Sequence, residues 1–197
     1  YIGGGTSTAL SASQLEVLLK GLTKNLDLSV LEELTIEANP GDLDADKIAV
    51  LKNSAVNRVS LGVQTFDDKM LKKIGRSHLE KDIYENIDRL KLAGFDNISI
   101  DLIYALPGQT MDQVKENVAK AIGLDIPHMS LYSLILENHT VFMNRMRLGN
   151  CLFLKRNWKR RCLSTSLQSW SELVLSIMRF PISQSLVLKV ATISCTC

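Results

Sequence analysis

Through residue 149 the chain alternates between two spacings of apolar side chains. Short runs rich in apolar and β-branched residues, at 34–38, 58–63, 98–104 and 128–135, read as strands, and Tyr1 and Ile2 read as the stub of an earlier one. Between them, SASQLEVLLKGLTKNL, DADKIAVLKN, LEKDIYENIDRLKLAG and MDQVKENVAKAIG place apolar residues at i, i+3 and i+4 with polar residues outward, the spacing of amphipathic helices. Their ends carry the expected punctuation. Ser11 or Ser13, Asp44 and Thr110 suit N-caps, and Gly94 follows Ala93 as a C-cap glycine would. This alternation predicts an α/β fold of βα units around a parallel sheet, either an open doubly wound sheet or part of a barrel.

In parallel α/β folds ligands lie beyond the carboxyl ends of the strands. Those ends carry Gly3-Gly4-Gly5-Thr6, then Glu37-Ala38-Asn39-Pro40, Gln64, Asp101 and finally 133–137. Singly, each has a bland reading: a tight turn at the glycines, a solvated acid at Glu37, turns at Asn39-Pro40-Gly41 and Pro107-Gly108. Together on one rim they read as a ligand site. Three glycines let backbone groups approach a small polar ligand, Glu37 and Asp101 accept hydrogen bonds from an ammonium or ribose hydroxyls, and Gln64 can donate and accept. Arg76 can pair with a carboxylate or end a helix in solvent, and His78 reads as a surface histidine. The rim suits a zwitterionic nucleoside. GGGT lacks the lysine of a phosphate-binding GxxxxGK[ST] loop and does not fit GxGxxG, so phosphate and dinucleotide binding are disfavoured.

Composition changes the picture at residue 150. Overall the chain is 46% hydrophobic and 22% charged with a net charge of +2, a globular balance. It lacks both a signal-peptide pattern and the roughly 18 consecutive apolar residues of a membrane span, which makes the cytoplasm the expected location. Yet residues 1–149 hold 16 basic against 20 acidic residues, whereas 150–197 hold seven against one. All 11 glycines and all four tyrosines lie at or before Gly149; all four cysteines and both tryptophans lie after it. A step this sharp marks a domain boundary, a fusion or an error.

The strings YIGGGT, TIEANPG, RVSLGVQTFDD, IGRSH, DLIYALPGQT and SLYSLILENHTVF, in this order, resemble the radical S-adenosylmethionine family of oxygen-independent coproporphyrinogen III oxidases, most closely its HemW-type haem-chaperone branch. The resemblance spans essentially all of 1–149. It implies a partial (β/α)6 barrel of the TIM-like radical SAM type, without its first strand, with S-adenosylmethionine across the strand ends and a [4Fe-4S] cluster on a loop after that first strand. It places the family's S-adenosylmethionine contacts on Gly4, Gly5, Thr6, Glu37, Gln64, Arg76, Asp101 and Ile135. Ser7 departs from the family's proline at that point. The family's CxxxCxxC lies upstream of the glycine motif, and the chain is expected to begin after it. Cys151, Cys162, Cys195 and Cys197 have neither the spacing nor the position to hold a cluster, so neither metal ligands nor catalytic residues are assigned.

Agreement with the family stops at Asn150. A single missing base there would shift the frame: Asn157 into Trp158 then restores only Leu, and Trp158 into Lys159 only Glu. The remaining junctions permit an acidic sequence of family type, so 1–149 is read as a partial radical SAM core and 150–197 as a frameshifted, non-native and irregular tail. The rival reading, a basic extension at Lys155, Arg156, Lys159, Arg160 and Arg161 around Trp158 for nucleic acid or a membrane surface, lacks a recognised motif. Three functions are therefore expected in order: a piece of a haem chaperone that binds haem and passes it to apoproteins, a coproporphyrinogen III oxidase acting on a porphyrin precursor, or an inactive truncated product.

Overall fold

The computed structural model describes residues 1–135 and 187–194. The chain folds as α1 (Ala12–Asn25), β1 (Thr35–Ala38), α2 (Ala45–Lys52), β2 (Arg58–Gln64), α3 (Asp68–Lys73), α4 (Glu80–Leu92), β3 (Asn97–Tyr104), α5 (Met111–Gly123), β4 (His128–Ile135) and β5 (Val187–Ser194). All strands run parallel, in the order β1-β2-β3-β4-β5. Ile2 adds a parallel bridge to Ile36 on the outer side of β1, through Ile2 N–H to the Thr35 carbonyl (2.8 Å) and Glu37 N–H to the Ile2 carbonyl (3.0 Å).

The helices begin where side chains can satisfy free backbone N–H groups. Ser11 and Gln14 cap α1 reciprocally, Thr110 and Gln113 do the same for α5, and Asp44 accepts from the Lys47 N–H at α2. Gly94, at φ +83°, ends α4, with Phe95 N–H reaching back to the Leu90 carbonyl. The periodic pattern does not announce α3, whose six residues are too few to show a period; Asp67 caps it by accepting from the Lys69 and Met70 N–H groups.

Among the described residues, one face of the sheet carries α1, α2, α4 and α5. Ile36 and Ala38 of β1, Val59, Leu61 and Val63 of β2, Ile98, Ile100 and Leu102 of β3, and Met129 and Leu131 of β4 join one core with Leu15, Leu51, Ile87 and Val118 of the helices. The opposite face alternates with these positions and is mainly polar, with Thr35 and Glu37, Arg58 and Ser60, Ser99 and Asp101, and Ser130 and Tyr132, Ile103 being its apolar exception. A doubly wound sheet would bury both faces under helices and reverse its strand order; this one does neither. The fold is thus a singly wound segment of a barrel, its polar face being the barrel's inner wall.

The expectation of an irregular tail does not hold at 187–194. There VLKVATIS forms β5 and pairs with β4 from His128↔Val187 to Ile135↔Ser194. The run is rich in β-branched residues, and β4 offers an open edge to pair with. The change at residue 150 and Cys151, Cys162, Cys195 and Cys197 lie outside the described residues. Among the described residues no helix is long and apolar enough to cross a membrane.

Candidate functional site

The strand ends and the loops after them meet around Asn39. Its backbone N–H donates to Thr8 Oγ1 (3.2 Å), and its Nδ2 donates to Thr6 Oγ1 (3.2 Å) and Asp42 Oδ2 (3.1 Å). Asn39 Oδ1 accepts from Arg76 Nη1 at 3.1 Å. One amide therefore ties the loop after the glycines, the exit of β1 and the loop between α3 and α4. A Cβ on Gly62 would fall 2.9 Å from Gln64 Nε2 and 3.2 Å from Asn39 Oδ1, which places Gln64 in the same cluster and explains why position 62 has no side chain.

Gln64 ends β2 in an unusual way. Its φ is +67°, and Thr65 N–H donates to the Val63 carbonyl at 2.8 Å, two residues back, so Gln64 is the centre of a γ-turn in the conformation that side chains resist. The turn follows a bulge: Leu61 pairs with Ile100 but Gln64 with Leu102, leaving β2 one residue longer than its partner. Asn117 of α5 holds the outgoing chain, accepting from the Phe66 N–H (2.9 Å) and exchanging hydrogen bonds with Thr65 Oγ1. At 7% exposure Gln64 offers a ligand only its remaining open edge.

The glycine loop is open where it was expected to be. No atom lies within 4 Å of a Cβ placed on Gly4 or Gly5, and Gly4 has φ +84°. Gly3 carries the steric demand instead, since a Cβ there would meet the Tyr1 ring at 2.5 Å and the Glu37 carboxylate at 2.7 Å. Glu37 accepts from Tyr1 Oη at 2.7 Å and is half-buried.

Asp101 lies mid-strand in β3, three residues before its end, rather than at the tip. It faces the inner wall and accepts from Ser60 Oγ at 3.3 Å, with Ser130 and Tyr132 also within its hydrogen-bonding group. Burial raises the Asp101 carboxyl above the usual range; the Ser130 and Ser60 hydroxyls pull it down, and the Glu37 charge adds to the rise. Behind it runs a line of donors: Arg58 Nη2 to Ser99 Oγ (3.3 Å), Ser99 Oγ to Ser60 Oγ (2.9 Å), and Ser60 to Asp101. Glu33 anchors the other end, accepting from Arg58 Nη1 at 3.0 Å.

Seven of the eight expected contact residues thus lie on the inner wall, at the strand ends or on the loops beyond them. Of these, Thr6 and Arg76 share Asn39, and Gln64 sits beside it. The eighth, Ile135, ends β4, opposite Ser194; its side chain lies outside the described residues. Two further members have roles that their sequence reading did not give them. Asn39 reads as part of a turn, yet links three segments. His78 is no surface histidine: it is 1% exposed, because the loop bearing it packs against Gly41, where a Cβ would fall 2.9 Å from Ser77 Oγ and 3.3 Å from His78 Cβ. A groove of about 530 Å³ between α1 and α2 lies on the helical side, away from these residues, and its Glu16 and Lys20 already pair at 2.7 Å.

Residues 1–121 match the family model for the radical SAM superfamily. The chain belongs to the radical SAM superfamily. Among its curated relatives it is 64% identical over 149 residues to the heme chaperone HemW of Lactococcus lactis, covering 76% of this chain and 39% of that one. With HemW of Bacillus subtilis it shares 48% over 150 residues, covering 76% and 40%. The chain therefore spans about two fifths of the length of these relatives. Among solved structures, the coproporphyrinogen III oxidase HemN of Escherichia coli superposes with a TM-score of 0.68 at 21% identity, over 96% of this chain and 49% of that one. At that identity the likeness bears on the fold, and it agrees with a singly wound radical SAM barrel segment.

Proposed function

We propose that the polar inner wall and its strand ends form the S-adenosylmethionine side of a HemW-like haem chaperone that works in the cytoplasm, binds haem and hands it to apoproteins. The observation that carries the ligand reading is the linkage at Asn39, which gathers the glycine loop, Gln64 and Arg76 at one end of a sheet whose inner face bears Glu37 and Asp101. Bound there, S-adenosylmethionine supplies an ammonium, a carboxylate and a ribose diol on one molecule. Gly4 and Gly5 leave room for its amino-acid end, with Thr6 beside it. Glu37 and Asp101 accept from ammonium or hydroxyl donors, Arg76 pairs with the carboxylate, Gln64 donates and accepts, and Ile135 borders the adenine.

The [4Fe-4S] cluster of the family finds no seat among the described residues: they hold no group of three His, Cys, Asp or Glu side chains able to take a metal. The haem-chaperone reading follows the names of the relatives at 64% and 48% identity.

Two titrations test the reading. Millimolar S-adenosylmethionine should shift the amide NMR signals of Gly4, Gly5, Gln64 and Asp101 in the 197-residue chain, and Gln64→Ala should abolish the shifts; shifts confined to residues outside this set would sink the ligand assignment. Haem added to the chain should give a saturable change in its Soret band without consuming coproporphyrinogen III. A non-saturating Soret titration would remove the chaperone reading.

A further inference from the structure

The γ-turn at Gln64 needs something to hold it, because a glutamine at positive φ returns to extended backbone unless its surroundings forbid this. Thr65 N–H alone closes the turn. The carbonyl it uses, that of Val63, also lies 3.3 Å from His78 Nε2. The imidazole is buried and its other ring nitrogen, Nδ1, has no hydrogen-bond partner. A buried ring with one unsatisfied nitrogen is costly, and its one polar contact goes to the carbonyl on which the turn depends.

We infer that His78 is the positioning residue for Gln64: its Nε2–H grips the Val63 carbonyl and so fixes the turn that aims Gln64 at the rim. The inference rests on the reading that Gln64 contributes to the S-adenosylmethionine site. The same loop carries Arg76, which donates to Asn39 Oδ1. Residues 76–78 therefore stitch the exit of β1, through Asn39 and Gly41, to the exit of β2, through Val63. The charged groups around the ring are Arg76 on its own loop, Asp82 on α4 and Asp42 after β1. Burial is the main influence on its titration and favours the neutral ring, which leaves Nδ1 bare, while the hydrogen bond from Nε2 to the Val63 carbonyl acts in the opposite sense.

Nitrogen NMR of the 197-residue chain tests this without any substitution. The expected spectrum shows His78 neutral, with the proton on Nε2 and Nδ1 bare; a proton on Nδ1 instead would overturn the inference, since Nε2 could then donate nothing to Val63. Amide exchange supplies the second arm. His78→Ala should lower protection of the Thr65 N–H by about tenfold or more, while leaving that of Ile98 and Ile100 in β3 unchanged. His78→Gln, whose amide can also donate to Val63, should restore it. Unchanged Thr65 protection in His78→Ala, or no difference between the two variants, would overturn the inference. Should His78→Ala fail to fold, the tautomer and the His78→Gln variant decide.

The ligand arm separates this inference from the reading on which it rests. S-adenosylmethionine should shift the Gln64 side-chain amide in the wild type and in His78→Gln but not in His78→Ala. If the wild type shows no such shift, the ligand assignment fails, and the tautomer and Thr65 exchange still decide whether His78 holds the turn.

Discussion

Gln64 has a backbone that resists it and neighbours that permit nothing else. A non-glycine residue at φ +67° costs on the order of 1–3 kcal/mol. Gln64→Gly should therefore raise stability by about 1 kcal/mol, after allowing for glycine's extra chain entropy, as read from the urea midpoint, while weakening S-adenosylmethionine binding. Gly62→Ala makes the complementary case. Its new methyl would land 2.9 Å from Gln64 Nε2, so the variant should keep its melting temperature within a few degrees but lose about tenfold in affinity by NMR titration. His78 supplies a pH signature. Burial holds its folded pKa below the ordinary 6.5, so the unfolded chain binds more protons once the pH drops under that value. The stability gained from a neutral His78 is complete above pH 6.5 and declines as the pH falls towards the folded pKa; His78→Gln should flatten that slope in pH-dependent urea melts. Asp101 acts in the opposite sense. Its raised folded pKa means that stability falls as pH rises from its ordinary 3.8 through the folded value, so Asp101→Asn should remove that component.

At the scale of elements, much was legible because helices and strands announce themselves by period. The four longer helices, the caps at Ser11, Asp44 and Thr110, and the strands at 58–63 and 128–135 follow from alternation and capping chemistry alone, the first of these strands running one residue further in the structure. Ser11→Ala should cost about 1 kcal/mol of thermal stability by removing the reciprocal cap on α1. What was not legible depends on contacts between distant segments. No local pattern shows that Asn117, halfway along α5, will accept from the Phe66 N–H 51 residues earlier, nor that the loop at 75–78 will fold back on Gly41 and bury His78. The bulge in β2 is equally silent, because an extra residue in one strand exists only relative to its partner.

For the whole molecule, the decisive fact is that the four longer helices among the described residues pack on one side. Periodicity left two architectures open, and the sequential strand order with a polar second face selects the barrel segment. A wall with one polar side gives a small ligand contacts from one direction, and no metal site accompanies it among the described residues. Calorimetry on the 197-residue chain should accordingly detect no micromolar S-adenosylmethionine binding, and the NMR shifts above should need millimolar ligand. The strand at 187–194 makes a separate prediction. Its amides should exchange slowly in deuterium if the pairing with β4 persists in solution, and Val190→Pro should abolish that protection.

The donors running from Arg58 through Ser99 and Ser60 to Asp101 all point the same way. A hydroxyl that receives from one neighbour and gives to the next cannot reverse alone; with a guanidinium at one end and a carboxylate at the other, the row acts as aligned dipoles. Each dipole strengthens the next in a low-dielectric setting. Exchanging Glu33, outside the rim, would thus be felt at Asp101 through the orientation of two serines, although neither acid touches the other.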